Sequence, residues 1–306
     1  MNWLAWGRAL RLSLAPSALA DVAAGALVAG AGEAPQFERW WPLLLASSCV
    51  YHAGMAFNDY ADRAHDAATR PDRPVPSGAV NAGALRLLGF VLLCVSIGSA
   101  ALVSVGAAAW AAGMAALVLI YDFGPRGAWR GPLLLGACRA SNLALGLLFA
   151  SEERYFPNVP TEWMLPPLAY GAYVVAASRV ARLEDRAAES EQGAPARGAA
   201  VSAALLLLAP AFVQVHSQPP VGVSWPALAL ATLAAWPLFA AALRRQRWTP
   251  ADCGRFTGMA LRRLLVFSAA IVLAHRGTSN DALYVAAAIL AGFPMAAALR
   301  RVFPPT

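Results

Sequence analysis

The stretch Trp41-Pro42-Leu43-Leu44-Leu45-Ala46-Ser47-Ser48-Cys49-Val50-Tyr51-His52-Ala53-Gly54-Met55-Ala56-Phe57 carries no Asp, Glu, Lys or Arg. It runs directly into Asn58-Asp59-Tyr60-Ala61-Asp62-Arg63-Ala64-His65-Asp66. A helix needs roughly 17–20 apolar residues to cross about 30 Å of hydrocarbon, and residues 41–57 meet that length. The abrupt change at Asn58 then marks the place where a membrane span leaves the bilayer with several oxygen-bearing side chains at its end.

Working outward, ten candidate spans emerge, near residues 14–32, 41–57, 83–104, 106–121, 131–150, 165–183, 199–216, 223–243, 261–275 and 281–299. The fourth and ninth are short, and little more than Gly106 separates the third from the fourth. Each span must be helical, because the bilayer core offers no water to satisfy a backbone. The composition agrees. The chain has 306 residues, 59% hydrophobic and only 13% charged, with a mean hydropathy of +0.52. A soluble domain usually carries about 25% charged residues. A soluble enzyme, a disordered chain and a secreted disulfide scaffold are therefore excluded. The expected fold is all-α: a polytopic transmembrane helical bundle of nine to ten spans with a central cavity opening to the cytoplasmic side.

All 24 basic residues are Arg. With the N-terminus inside and the spans alternating, all but four fall on the inner side. Arg39, Arg154 and Arg276 lie outside and Arg139 lies within a span. This bias predicts an N-in, C-in orientation. The stretch after Arg8 and Arg11 is long enough to span, so it reads as a first helix and not as a cleaved leader. The basic charge comes with no nucleic-acid-binding motif, so nucleic acid is not an expected partner. Cys49, Cys94, Cys138 and Cys253 have no metal-ligand or redox spacing and read as inert thiols. Trp40 and Trp41 read as an outer-interface belt, and Arg244-Arg245-Gln246-Arg247-Trp248 as an inner basic anchor.

The acidic cluster is the chemical signal. On a helix Asn58, Asp62 and Asp66 recur at four-residue spacing and fall within about 80° of one another, and Asp59 widens the arc to about 100°. Like charges so placed repel, and ionisable groups at membrane depth are costly, so a cation should offset them. Hard oxygen ligands without His or Cys suit Mg²⁺, which binds a few carboxylates together with substrate phosphates. Arg70 and Arg73 follow one turn later, and Arg matches phosphate with its planar fork. A solvated acidic helix end with Arg partners is the plainer alternative.

The string Asn58-Asp59-x-x-Asp62-x-x-x-Asp66, then Arg70-x-x-Arg73-Pro74 and Gly78, resembles the first signature of the UbiA-type membrane prenyltransferases. The resemblance implies a single integral-membrane domain over 1–306, with a core at 10–275 and an extra C-terminal span at 281–299. It implies Mg²⁺ as cofactor, an isoprenyl diphosphate and an unidentified hydrophobic acceptor as partners, and the cytoplasmic membrane of a bacterium as location. Metal ligands would be Asn58, Asp59, Asp62, Asp66, Asp185 and Glu189. Asp62, Asp66, Arg70 and Asp185 would carry the chemistry.

The second signature is expected at the end of the sixth span. Here that place reads Ser178-Arg179-Val180-Ala181-Arg182-Leu183-Glu184-Asp185-Arg186-Ala187-Ala188-Glu189. Asp185 and Glu189 share a face, but Ala181 stands where an upstream carboxylate is usual. The pattern is similar to a divergent bacterial branch of the family, and it leaves a second metal site open. Arg182 then joins Arg70, Arg73, Tyr121, Asp122, Arg126, Arg130, Arg139 and Asn142 as substrate-binding candidates. Arg139 and Asn142 lie within a span, where a buried Arg needs a cavity or a partner, for which Asp122 and the first cluster are candidates. His52 reads as a structural hydrogen-bonder. The rival reading is a non-catalytic relative serving transport or export of a small-molecule precursor.

Overall fold

The computed structural model describes residues 2–29, 37–125, 127–148, 161–184, 193–213, 222–245 and 247–304. Fourteen α-helices order these residues. The first half holds α1 (Trp3–Ala9), α2 (Ala15–Ala29), α3 (Phe37–Ala61), α4 (Arg63–Thr69), α5 (Ala82–Ala101), α6 (Val105–Phe123) and α7 (Arg130–Leu147). The second holds α8 (Leu165–Glu184), α9 (Gly193–Leu206), α10 (Trp225–Arg244), α11 (Pro250–Arg262), α12 (Leu264–Arg276), α13 (Asn280–Leu290) and α14 (Gly292–Val302).

Among the described residues, seven segments are long and apolar enough to cross a bilayer: 12–29, 82–101, 105–123, 194–211, 225–244, 250–276 and 280–302. The chain is thus a multi-pass integral membrane protein. Three other helices have a span's length, α3 with 25 residues, α7 with 18 and α8 with 20. Each carries the polar residues that lower its hydropathy: Asn58 and Asp59 on α3, Arg139 and Asn142 on α7, Arg179 and Arg182 on α8. Among the helices of a span's length these three are the least lipid-like by composition, and each carries candidate site residues.

Two hydrophobic cores meet along α2 and α7. One gathers Val22, Ala26, Leu43, Val50, Phe57 and Leu145 between α2, α3, α5, α6 and α7. The other gathers Leu27, Leu143, Tyr170, Tyr173, Phe256 and Phe267 between α2, α7, α8, α11 and α12. Glycines allow the close approach. A Cβ on Gly25 would stand 2.2 Å from the Leu143 carbonyl oxygen, and one on Gly146 would stand 2.2 Å from that of Val22. Small residues at such crossings are how membrane helices gain contact when lipid is as apolar as the side chains.

Several expectations change. The break between α5 and α6 lies at 102–104, where the Ser104 side chain accepts from the Ala107 N–H, so α6 starts from this cap and Gly106 lies inside it. Trp40 is buried and only Trp41 faces outward, because adjacent helix positions point about 100° apart. The segment after Arg244, expected inside, contains α11, started by a capping box between Thr249 and Asp252. Arg245 pairs with Asp252 at 3.1 Å, and Trp248 is buried against Phe256, so this segment is packed and not simply a surface anchor. Cys94 is exposed, unlike Cys49 and Cys253, and all four thiols are free. Residues 280–302 are broken at Ala291–Gly292, where Gly292 packs closely on Leu265 and Pro16.

Candidate functional site

α3 ends at Ala61 and Asp62 caps α4, yet the backbone bonds from Asp62 N to Asn58 O (3.0 Å) and from Asp66 N to Asp62 O (2.8 Å) keep the helical ladder almost continuous. The acidic residues therefore stay in register across the junction. Asp59 and Asp66 are buried at 2% exposure each, Asn58 and Asp62 are half-buried, and Arg70 is exposed at the end of α4.

Each buried carboxylate has an Arg. Arg73 Nη1 lies 2.6 Å from Asp66 Oδ2. The turn after it sets this geometry. Ser77 N donates to Arg73 O, Val80 N donates to Pro74 O, and Gly78 takes φ +76°, a value that favours glycine, so that Val80 returns to the core. Asp59 Oδ1 lies 3.3 Å from Arg11 Nη2, which also donates to Asn58 Oδ1 at 3.1 Å. Arg11 comes from the break between α1 and α2 and has a left-handed backbone, φ 49° and ψ 47°. That conformation costs a non-glycine residue about 1–2 kcal/mol. Asp59 also feels Arg73 and Asp66, so the two pairs form one electrostatic unit. Sequence reading missed Arg11, which looked like one more inner-side charge.

Asn58 continues inward. Its Nδ2 donates to Asp122 Oδ1 at 3.3 Å, tying α3 to the end of α6. Asp122 and Tyr121 line a cavity of about 90 Å³ whose other walls include Val50, Tyr51, Met55, Met114 and Leu135. Arg139 and Asn142 line it too. The result is an apolar chamber with the acidic cluster beside one edge and a polar patch elsewhere on its wall. Arg130 is exposed near Gly124. Of the remaining candidates, Arg126, Asp185 and Glu189 lie outside the described residues, and Arg182 is half-buried at the end of α8.

Arg139 pairs with neither Asp122 nor the first cluster. Its Nη2 lies 3.3 Å from Asp21 Oδ2 and donates to the Tyr170 hydroxyl at 3.1 Å. Asp21 has no exposed surface and accepts from Tyr170 (2.6 Å), Asn142 (3.1 Å) and Ser268 (3.2 Å). Helices α2, α7, α8 and α12 are thereby joined through one carboxylate. The signal for Asp21 was present, an acidic residue inside the first apolar run. On α8, Arg179 donates to the Ala128 carbonyl and lies 4.1 Å over the Trp129 ring, so it holds the α6–α7 loop. His52 meets the Leu10 carbonyl at 2.9 Å, the structural role expected of it.

Among the described residues, no three His, Cys, Asp or Glu side chains gather to form a metal cage. The set at the end of α3 is a different kind of site. Its donors are all oxygen, and Asp59 Oδ2 is buried without a hydrogen-bond partner. Such a set fits Mg²⁺ held by one or two carboxylates together with water and phosphate, and does not fit a metal enclosed by protein alone.

Known proteins resemble this chain in sequence and in fold. A curated digeranylgeranylglyceryl phosphate synthase from Methanopyrus kandleri is 33% identical over 113 residues, 34% of this chain and 40% of that protein. One of the same name from Natronomonas pharaonis is 38% identical over 73 residues, 24% of this chain and 26% of that protein. The match thus spans well under half of either curated relative. An apo structure of a UbiA homologue from Aeropyrum pernix shares the fold, with a TM-score of 0.65 at 19% identity, over 85% of this chain and 97% of that one. The pattern of the UbiA prenyltransferase family matches residues 18–266, and the chain belongs to that family.

Proposed function

We propose that this protein transfers a prenyl group from an isoprenyl diphosphate to an acceptor within the membrane. The observation that carries the reading is the paired acidic face of Asn58, Asp59 and Asp66, with its arginines, standing beside an apolar cavity edged by Asp122. Family membership supports the reaction type. The name of the two curated relatives supports a lipid acceptor over an aromatic one.

Asn58, Asp59, Asp62 and Asp66 would hold Mg²⁺ on the diphosphate, with Asp185 and Glu189 as candidates for a second ion. The metal, when bound, supplies charge stabilisation to the leaving oxygens. Arg73 and Arg70 add positive charge there, and Arg11 stands close enough to turn from Asp59 to a phosphate oxygen. Donors fixed before the reaction favour the charge that develops as the allylic C–O bond breaks. The diphosphate leaves with the bonding pair, and the acceptor supplies the pair for the new bond and releases its proton to a carboxylate of the site. The apolar walls, Val50, Met55, Met114 and Leu135 among them, exclude water from the electron-poor prenyl carbon. Tyr121, Asp122, Arg126, Arg130, Arg139, Asn142 and Arg182 remain candidates for substrate contact. The proposed topology has ten spans with both ends inside and the cluster at the inner surface, as one domain over 1–306.

The test is a purified-protein assay with labelled prenyl diphosphate, Mg²⁺ and candidate acceptors, read by product mass. Asp62→Ala is expected to insert normally and lose Mg²⁺-dependent transfer. Full activity in that variant would remove the metal site. A carrier, the rival reading, would release no diphosphate with any acceptor.

A further inference from the structure

A second recess opens on the perimeter of the bundle, between the end of α3, the start of α5 and the end of α6, with a volume of about 1210 Å³. Its rim is basic. Arg63 lies 4.3 Å over the Tyr60 ring, and Arg86 lies 5.3 Å over the same ring and donates to its hydroxyl at 3.1 Å. Arg130 stands on the same rim, its Nη2 3.1 Å from where a Cβ on Gly124 would lie. Among the described residues no carboxylate forms an ion pair with Arg63 or Arg86, although both are exposed. Collecting like charges on one tyrosine is unfavourable unless an anion joins them.

Away from the rim the recess is walled by exposed apolar side chains: Leu87 and Phe90 on α5, Ile120 and Phe123 on α6. The shape matches an amphiphile with its anionic head at the inner interface and its chain along α5 and α6. Asp122 lines both this recess and the inner cavity, so whatever fills one borders the other.

We propose that the recess is a binding site for an anionic phospholipid of the surrounding leaflet. Arg63 and Arg86 take its phosphate and Tyr60 holds both in place. The bound lipid closes the bundle beside Asp122. Each basic side chain near a membrane surface contributes measurably to anionic-lipid binding, so removing two should weaken it by roughly tenfold or more. The proposal does not depend on the identity of the reaction.

The test uses the full chain in phosphatidylcholine nanodiscs carrying a trace of photoactivatable phosphatidylglycerol, with photoactivatable phosphatidylcholine as control. Phosphatidylglycerol is expected to label peptides from 82–101 and 105–123 at least tenfold more than the control. The Arg63→Gln/Arg86→Gln double variant should lose that excess, and Tyr60→Phe should lose part of it. Thermal stability and Mg²⁺-dependent binding of prenyl diphosphate, measured on the same samples, should be unchanged. Equal labelling by both lipids, or unchanged labelling in the double variant, overturns the proposal. So does recovery of the labelled lipid carrying a prenyl group, which would make the recess an acceptor site. If the native chain fails to bind prenyl diphosphate, the transferase reading falls and the labelling still decides the lipid site.

Discussion

Arg11 and Asp21 show how single residues set this site. Arg11 keeps a strained backbone and places its guanidinium where Asn58 and Asp59 offer oxygen. It neutralises the acidic cluster in the absence of ligand, and it competes with any other cation for the same oxygens. Replacing it with Ala leaves Asp59 buried without its ion pair, and an uncompensated buried charge is strongly destabilising. Arg11→Ala should therefore melt lower than the native protein in Mg²⁺-free detergent. Added Mg²⁺ should raise its melting temperature by more than it raises the native protein's, since ligand binding to the folded state stabilises it. Equal shifts would show that Arg11 and the metal do not share ligands. Asp21 is the opposite case, a carboxylate whose partners are all internal. Asp21→Ala should lower stability by about 3–5 kcal/mol, the usual effect of breaking a buried pair, and Asp21→Asn by less because it keeps the shape and one acceptor oxygen. Denaturant titration in detergent reads both. The four-residue spacing from Asn58 to Asp66 was legible because it lies within one chain segment. The Arg11 and Asp21 contacts join segments 47 and 121 residues apart, and no local pattern encodes those pairings.

At the scale of elements, the apolar runs read well because a bilayer imposes one length and one secondary structure on each of them. What the runs hide is where a helix bends or ends inside an apolar stretch. The break at 291–292 and the caps at Ser104 and Thr249 come from packing and from single polar side chains, which barely change average hydropathy. The α2–α7 contact was equally silent, since glycine in an apolar run looks like filler. Its role follows from the 2.2 Å between a Cβ on Gly146 and the Val22 carbonyl oxygen. Gly146→Val should push α2 from α7, disturb the Asp21–Asn142 bond between the same helices, and destabilise by at least the 1–3 kcal/mol typical of overpacking. Gly113→Ala, where a Cβ meets open space on the same bundle, is the control and should melt no lower than the native protein. If both variants behave alike, helix proximity at Gly146 is not limiting.

For the whole molecule, the question is which face of the membrane the acidic cluster occupies. The ends of α3 and α6 and the start of α5 border one recess, so Asn58, Arg86 and Asp122 share a face of the bundle. Arg11 reaches Asn58 and Asp59, which puts the break after α1 on that face as well. The Arg bias is the basis for proposing that these segments lie inside. Lipid-facing helices such as α5, α6 and α10 expose Leu87, Val105, Leu233 and Trp236, so the bundle can adopt the assigned direction only with its whole apolar girdle in the bilayer. Both termini are then cytoplasmic if ten crossings occur. Fluorescent-protein fusions at each end should glow, and alkaline-phosphatase fusions at the same points should be inactive. Activity of a phosphatase fusion after Arg73 would place the proposed diphosphate site outside and overturn the inner assignment. Activity only at the C-terminal end would instead mean that 280–302, broken at Gly292, does not cross, leaving nine spans and the same inner site.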